Sequence, residues 1–317
     1  MKNLEFPLFY MRHLLRLMAS ILNFFRNLNV IAIMVYSAIL GRAYLRKFKP
    51  ETLCYCRSMG DDRLLDIYRP NSSSTETLPT IVWFHGGAWK MGDRKAVERI
   101  AAEQLERGFA LASVSYSLSD VAQWPVQCHE AKAAIRYLRA NAGRLGLNPD
   151  KLIAAGMSAG AHMACILGVS ADHEQLNGQL GEHLEQATKV MGVLALYPPT
   201  DFLSVSKDFD GLLDYYAEDS PVTQLLGESI STAPQKSNLA SPLRLFEGTC
   251  PPTFLLHGDA DPIVPVDQSV IMHEKLLGAG IDSQLMRIPK YTHGDHRFNQ
   301  GVAAEKITAF LKHLAIP

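Results

Sequence analysis

A serine stands at the centre of a G-x-S-x-G pattern, Gly156-Met-Ser-Ala-Gly160, in the middle of the chain. The apolar run at residues 152–155 before it is typical of a buried strand, and the Ala-, Met- and Leu-rich run at 161–167 is typical of a buried helix. The two glycines permit a sharp turn with strained dihedrals at the serine. Such a turn lifts the Ser158 hydroxyl over the helix N-terminus, where developing negative charge is favoured. We predict a nucleophile here; the alternative is an ordinary tight turn.

A serine hydroxyl becomes a useful nucleophile only when a neutral imidazole takes its proton and a carboxylate orients that imidazole. In a parallel sheet these groups come from loops at the carboxyl ends of strands. Two later strands are followed by such residues, in the order serine, acid, histidine. The candidates are Asp259 and Asp261 after residues 253–256, and His293 and His296 after residues 284–288.

A tetrahedral oxyanion also needs fixed N–H donors, each contributing roughly 2.7–4 kcal/mol to lowering the barrier. The sequence His85-Gly-Gly-Ala-Trp89 follows the strand at residues 80–84, and its glycines let the backbone approach an oxygen closely. We expect the donors to be the N–H groups of Gly86, Gly87 and Ala88, together with that of Ala159. The alternative is that the two glycines only form a turn.

Four stretches together resemble α/β-hydrolases of the serine esterase group that includes hormone-sensitive-lipase-like and bacterial feruloyl-esterase-like enzymes. The resemblance runs from about Leu64 to Leu314 and leaves out the first fifty residues. Similar stretches occur in isoprenylcysteine methylesterases and kynurenine formamidases, so the motifs specify chemistry better than substrate. The stretches are His85-Gly-Gly-Ala-Trp89, Gly156-Met-Ser-Ala-Gly-Ala-His162, His257-Gly-Asp-Ala-Asp-Pro-Ile-Val-Pro265 with Gln268-Ser269, and Thr292-His-Gly294.

The resemblance implies that Ser158 is the nucleophile, that Asp261 is the orienting acid and that His293 is the general base. Asp261 is the second aspartate of Gly-Asp-x-Asp, the position that carries the acid in such enzymes, whereas Asp259 would brace the loop. A glycine follows His293 as in the family, but the next residue is an aspartate where the family often has phenylalanine. His296 therefore stays an alternative base. We interpret two further histidines as structural, namely His162 and His257.

The elements that must position these groups alternate along the chain. We predict strands at residues 63–68, 80–84, 108–116, 152–155, 190–196, 253–256 and 284–288, the first of them at a sheet edge. We predict helices at residues 93–107, 130–142, 161–167, 266–277 and 302–314. The alternation predicts the α/β-hydrolase fold, with a mostly parallel central sheet, helices on both faces and an insertion at about 200–250 over the active site.

The insertion carries aromatic and aliphatic residues that could wall a pocket for small, moderately apolar esters. No basic cluster indicates a phosphorylated substrate, and the serine chemistry requires neither a metal nor a cofactor. The near-neutral net charge of −1 gives no indication of nucleic-acid binding. Five cysteines without a pairing framework suggest free thiols in a reducing compartment. The pocket candidates are Trp89, Tyr197, Tyr215 and Tyr216, with Leu225, Leu226 and Phe246.

The first fifty residues form a separate apolar and basic extension before a catalytic domain at residues 51–317. Arg16 and Arg26 interrupt the apolar stretch at 14–40, and the uncharged run at 27–41 is shorter than the roughly 20 residues of a membrane span. The extension could lie on a membrane surface as amphipathic helices, cover the active site as a helical cap, or be a signal peptide. The internal Arg26 fits a signal peptide badly, so we expect a cytoplasmic or membrane-associated protein.

These features predict a serine carboxylesterase that acts on small to medium esters through an acyl-serine intermediate. An arylformamidase-type amide hydrolase and a prenylcysteine methylesterase-like enzyme share the same triad and loop, and both stay open. A catalytically silent binding module on this fold is a further alternative, because a fold does not fix a function. The oligomeric state does not follow from the sequence.

Overall fold

A central sheet of eight strands organises the computed structural model, which describes residues 32–33, 36–71, 76–206 and 209–315. The strand order is β1-β2-β4-β3-β5-β6-β7-β8. The pairs β1–β2 and β2–β4 are antiparallel, and the remaining neighbours are parallel. The strands are β1 (Glu51–Ser58), β2 (Asp61–Tyr68), β3 (Leu78–Phe84), β4 (Ala110–Val114), β5 (Leu147–Met157), β6 (Gly192–Leu196), β7 (Thr253–Gly258) and β8 (Ser283–Ile288).

Apolar side chains cover both faces of the sheet, as expected for parallel strands with helices on either side. In β3, Val82 and Phe84 join the core on one face, whereas Ile81 and Trp83 join the core on the other. The helices are α1 (described over 36–45), α2 (Arg99–Ala102), α3 (Val126–Ala140), α4 (Ala142–Leu145), α5 (Ala159–Val169), α6 (Glu174–Asn177), α7 (Pro221–Leu226), α8 (Pro234–Leu239), α9 (Pro242–Leu245), α10 (Asp267–Gly278) and α11 (Gly301–Ala315). Helices α3, α5 and α10 pack on the first face, and α2 and α11 pack on the second. These observations confirm the predicted α/β-hydrolase fold.

The prediction of an edge strand at residues 63–68 was wrong. This segment is β2, and β1 pairs along its outer side. The sequence reading missed β1 because its pattern is mixed: Tyr55 is buried, while polar Arg57 and the Cys54 thiol face solvent. Pairing with β2 supplies the hydrogen bonds of β1, and the weak alternation of the β1 residues does not predict this pairing.

The predicted helix at residues 93–107 is shorter than expected. Residues 93–98 are irregular, α2 begins at Arg99, and a 3-10 helix follows at Glu103–Arg107. The irregular part is held from outside, because Trp83 Nε1 donates a hydrogen bond to Ala96 O at 2.9 Å. Its backbone also passes Gly41 so closely that a Cβ there would lie 1.7 Å from Val97 O. Contacts with the sheet and with α1 therefore override the helical spacing.

The segment between β6 and β7 contains three short helices, α7, α8 and α9, rather than irregular chain alone. This segment is hydrogen-bonded to the loop after β7, since Leu212 N donates to Pro262 O and Tyr215 Oη donates to Ile263 O at 3.1 Å. Within the described ranges, no helix has the length and apolar character needed to cross a bilayer. Residues 1–31, which carry most of the predicted extension, lie outside the described part.

Candidate active site

Ser158 occupies a strained turn between β5 and α5. Its φ of 53° and ψ of −122° are unfavourable for a residue with a Cβ. The turn is held because Ser158 N donates to Leu196 O at 2.9 Å and because α5 packs tightly on β3. A Cβ on Gly160 would lie 2.0 Å from Phe84 O, so only glycine permits this approach. The geometry presents the Ser158 hydroxyl at the carboxyl ends of the strands, as the G-x-S-x-G pattern predicts.

The structure brings Ser158, His293 and Asp261 into one hydrogen-bonded chain. His293 Nε2 lies 2.9 Å from Ser158 Oγ, and His293 Nδ1 lies 2.7 Å from Asp261 Oδ2. All three side chains are buried, and they come from the turns after β5, β7 and β8. With the proton on Nδ1 held by Asp261, Nε2 is free to accept the serine proton.

Asp261 is fixed by hydrogen bonds to both carboxylate oxygens. The N–H groups of Ile263 and Val264 donate to Oδ1 at 2.8 and 2.9 Å. His257 Nε2 lies 3.3 Å from Oδ2. Burial alone would raise the pKa of the Asp261 carboxyl, but the electrostatic interaction with His293 and the hydrogen bonds from His257 and His293 outweigh burial and hold that pKa well below its ordinary range. The carboxylate is therefore ionised at neutral pH.

The two alternative residues from the sequence lie elsewhere. Asp259 forms an ion pair with Arg287 at 2.8 Å, which braces the β7 and β8 loops at the surface. The ring of His296 packs edge-on against Tyr36 with centroids 5.2 Å apart. Neither residue joins the chain of contacts from Ser158.

His162 and His257 have structural contacts, in line with the interpretation from the sequence. His162 is fully buried under the site, where Nε2 lies 2.7 Å from Ala240 O, and burial lowers the pKa of its ring to about 4. His257 is also buried, with Nδ1 2.7 Å from Ser269 Oγ and Nε2 3.0 Å from Val264 O. His162 links the insertion to α5, and His257 shapes the loop that carries the acid.

The loop after β3 lies beside the nucleophile. A Cβ on Gly86 would lie 3.4 Å from Ser158 Cβ and 3.0 Å from Met157 O, so the glycine allows the close approach. In the described part of the chain, no hydrogen bond is recorded from the N–H groups of Gly86, Gly87 or Ala88. Ala159 is the first residue of α5, where an N–H has no intrahelical partner. Gly86 and Gly87 line the same cavity as Ser158, so their N–H groups remain candidate donors to an oxyanion.

His85 and Tyr116 hold this loop from behind. Tyr116 Oη donates to His85 O at 2.8 Å, and the two rings stack with centroids 4.3 Å apart. His85 Nδ1 lies 2.8 Å from Gly86 O. Burial lowers the pKa of His85 to about 4, so the ring is neutral at neutral pH and Nδ1 can donate to the carbonyl. The loop is therefore fixed before any substrate binds.

A cavity of about 150 Å³ adjoins the nucleophile. Its mostly apolar lining consists of Ala38, Gly86, Gly87, Glu98, Met157, Ser158, Tyr197 and Gly294. Tyr197 lies where the sequence predicted a pocket residue, with its ring 4.6 Å from that of His293.

Three other pocket candidates do not line this cavity. Trp89 packs edge-on against His162 and Phe202 in the core, and Tyr215 is buried against the loop after β7. Tyr216 donates a hydrogen bond to Val205 O within the insertion. Leu225, Leu226 and Phe246 are buried in the core as well. These side chains stabilise the insertion because packing against one another removes more apolar surface from water than an open pocket would.

Sequence reasoning missed two lining residues, Ala38 and Glu98. Ala38 belongs to α1, in the extension that the resemblance left out. Glu98 accepts hydrogen bonds from Ser37 Oγ at 2.5 Å and from Asn299 Nδ2 at 3.0 Å. No short motif contains these contacts, because Ser37 and Asn299 lie 61 and 201 positions from Glu98 in the sequence.

The chain matches the BD-FAE family model over residues 65–276. It is 28% identical to esterase LipC of Mycobacterium tuberculosis over 80% of this chain and 64% of that protein. It is 26% identical to carboxylesterase NlhH of the same species over 80% of this chain and 81% of that protein. Against LipC and the similar esterase LipQ, the chain spans about half to two thirds of the relative's length.

Solved structures give the same picture of the fold. A truncated carbohydrate esterase from gut microbiota superposes with a TM-score of 0.75 at 26% identity, over 83% of this chain and 96% of that chain. The region matched by the family model, residues 65–276, contains Ser158 and Asp261 of this chain. His293 lies beyond the end of the family match.

Proposed function

The chain belongs to the BD-FAE family of α/β-hydrolase esterases, and from this premise we propose that it is a serine carboxylesterase acting through an acyl-serine intermediate. The observation that carries the proposal is the hydrogen-bonded chain from Ser158 Oγ through His293 to Asp261. The proposed substrates are carboxylic esters with small to medium groups. The modest cavity beside Ser158 supports that size range.

In the acylation step, His293 Nε2 takes the proton of Ser158 as Oγ attacks the ester carbonyl carbon. The imidazolium is stabilised by the Asp261 carboxylate, which remains ionised throughout. Hydrogen bonds from the backbone N–H groups of Gly86, Gly87, Ala88 and Ala159 stabilise the negative charge on the carbonyl oxygen. Collapse of the tetrahedral intermediate breaks the bond to the alcohol oxygen, which leaves with the proton from His293.

In the deacylation step, water replaces the alcohol. His293 Nε2 removes a proton from the water as its oxygen attacks the acyl carbon, and the same N–H donors stabilise the second oxyanion. Return of the proton to Ser158 Oγ releases the carboxylic acid. Apart from the attacking water, these steps use side chains and backbone groups of this chain.

The described part of α1 favours the cap interpretation of the N-terminal extension over residues 36–45. Ala38 lines the cavity, Ser37 bonds to Glu98, and Leu45 is buried against the sheet. We propose that this segment closes the active site. Attachment of the preceding residues to a membrane surface stays a prediction, which co-sedimentation of the full chain with anionic lipid vesicles would test.

Hydrolysis of p-nitrophenyl acetate, butyrate, octanoate and palmitate by the wild type and by Ser158→Ala tests the function. We expect the variant to lose a factor of about 10⁴ to 10⁶ in kcat, since the nucleophile is removed. Equal rates in both proteins would refute the role of Ser158. A rate on N-formylkynurenine well above the ester rates would favour the amide hydrolase, and no rate on either would favour the silent binding module.

A further inference from the structure

A buried carboxyl, Glu98, lines the cavity beside the nucleophile. The residue is only 4% exposed and shares the cavity with Ser158 and the glycines of the oxyanion loop. It plays no part in the proton transfers between Ser158 and His293. Since a polar group in an apolar cavity is costly unless it is hydrogen-bonded, its position calls for a physical explanation.

The side-chain hydrogen bonds of Glu98 all end on one of its two carboxyl oxygens. Ser37 Oγ lies 2.5 Å and Asn299 Nδ2 lies 3.0 Å from Glu98 Oε2. The amide orientation of Asn299 follows from its other end, because Ile100 N donates to Oδ1 at 2.7 Å. Oε2 is thus an acceptor. Among the described residues no hydrogen bond reaches Oε1, and this oxygen is not among the fully enclosed unpartnered atoms, so it is left to the cavity that Glu98 lines.

No positive side chain within the described ranges forms an ion pair with Glu98. Burial raises the pKa of its carboxyl, and the hydrogen bonds from Ser37 and Asn299 oppose that rise only in part. Whichever form is present, Oε1 offers the cavity a hydrogen-bonding group: an acceptor when ionised, a hydroxyl donor when neutral. The Tyr197 ring lies at the same cavity.

We propose that Glu98 is a specificity-determining residue that recognises a hydroxyl group on the part of the ester bound in this cavity. This inference rests on the proposed esterase function and names a substrate class for it: short esters that carry a hydroxyl. A cavity of about 150 Å³ holds roughly five non-hydrogen atoms, if each takes up about as much space as a water molecule. A hydroxybutyryl group and a four-carbon diol, each with six non-hydrogen atoms, are close to that size.

A hydroxyl fits this site better than a cation does. It can donate to Oε1 of the carboxylate and accept from Oε1–H of the neutral acid, so recognition survives either form of Glu98. A cationic group gains only from the ionised form, which burial disfavours. An apolar group of the same size would leave Oε1 without a partner, and an unsatisfied buried group is what makes such a site selective.

Matched esters test the proposal on both sides of the ester bond. On the acyl side the pair is p-nitrophenyl 3-hydroxybutyrate and p-nitrophenyl butyrate, and on the alcohol side it is 4-hydroxybutyl acetate and butyl acetate. A third pair, the ester acetylcholine and its neutral isostere 3,3-dimethylbutyl acetate, measures any preference for a cation. For the full-length wild type we expect a kcat/KM about tenfold or more higher for the hydroxylated member of one of the first two pairs.

Three variants separate recognition from anchoring of α1. Glu98→Met removes both oxygens and is expected to abolish the hydroxyl preference. Glu98→Gln keeps an acceptor for Ser37 and Asn299 and leaves an amide NH₂ toward the cavity, so it should retain most of that preference. Ser37→Ala weakens the anchor but keeps the carboxyl, and its ratio of hydroxylated to plain ester should stay at the wild-type value.

The outcomes distinguish this inference from the function on which it rests. Equal wild-type rates within both hydroxyl pairs, or a hydroxyl preference that survives Glu98→Met, would overturn the recognition role while leaving the esterase intact. A preference only for acetylcholine would overturn hydroxyl recognition in favour of a cation site. No hydrolysis of any ester would overturn both proposals together.

Discussion

The cavity beside Ser158 has a reactive side and a second side that are built differently. The reactive side consists of Ser158, His293 and the loop at Gly86, each in the turn directly after a strand of one sheet. The second side brings together Ser37, Glu98 and Asn299, and the first and last of these are 262 positions apart. Each group on the reactive side is thus positioned by the turn that follows its own strand, whereas the second side depends on contacts between segments outside the sheet. This difference suggests that chemistry resides in the first and substrate choice in the second.

The sharpest test of the reactive side is Asp261→Asn. An asparagine keeps the size of the side chain but cannot stabilise the imidazolium of His293, so we expect kcat on p-nitrophenyl butyrate to fall about 10⁴-fold. Asp259→Asn is the matched control, because Asp259 only pairs with Arg287 at the surface. Comparable losses in the two variants would contradict the assignment of the acid.

The second side is tested by Ala38→Phe. The larger side chain is expected to fill part of the cavity, so kcat/KM for p-nitrophenyl butyrate should fall about tenfold while that for the acetate changes little. Ile39→Phe is the control from the next position of α1, where the side chain is 57% exposed. An unchanged chain-length profile in Ala38→Phe would mean that α1 does not limit the substrate.

The two buried carboxyls, one on each side, should respond to pH in opposite directions. The pKa of Asp261 is lowered in the folded state, so its stabilising effect is present above the unfolded pKa and is lost as pH falls toward the folded value. The pKa of Glu98 is raised, mainly by burial, so it destabilises the fold as pH rises through the interval above the unfolded pKa.

Thermal unfolding of Asp261→Asn and Glu98→Gln at pH 4 and pH 7 measures this contrast. At pH 7 we expect a lower midpoint for Asp261→Asn and an equal or higher one for Glu98→Gln. At pH 4 the Glu98→Gln difference should shrink, whereas the Asp261→Asn difference should persist, because pH 4 still lies above the ordinary aspartate pKa of about 3.8. Shifts of a few degrees are expected, since about 1 kcal/mol changes the midpoint by ~2–4 °C in a domain of 150–250 residues. Parallel behaviour of the two variants would contradict the contrast.

The amino-acid sequence was sufficient to predict the fold and to identify the candidate residues of the reactive side. The G-x-S-x-G turn, the loop at Gly86 and the loops with Asp261 and His293 each follow an apolar strand, and strand order in an open parallel sheet brings such turns to one edge. Local patterns suffice there because the backbone of each turn is set by its own glycines and by the strand before it.

The contribution of Ala38 and Glu98 to the cavity lining was decided by tertiary structure alone. Tyr215 and Trp89 resemble pocket residues in sequence, yet burial in the core satisfies their apolar rings. Ala38 and Glu98 carry no signal in their own neighbourhoods, because their positions depend on α1 packing against residues 97–98 and on Asn299 bonding to both Ser37 and Glu98. A contact between distant segments forms only when the whole chain has packed, so no local pattern records it.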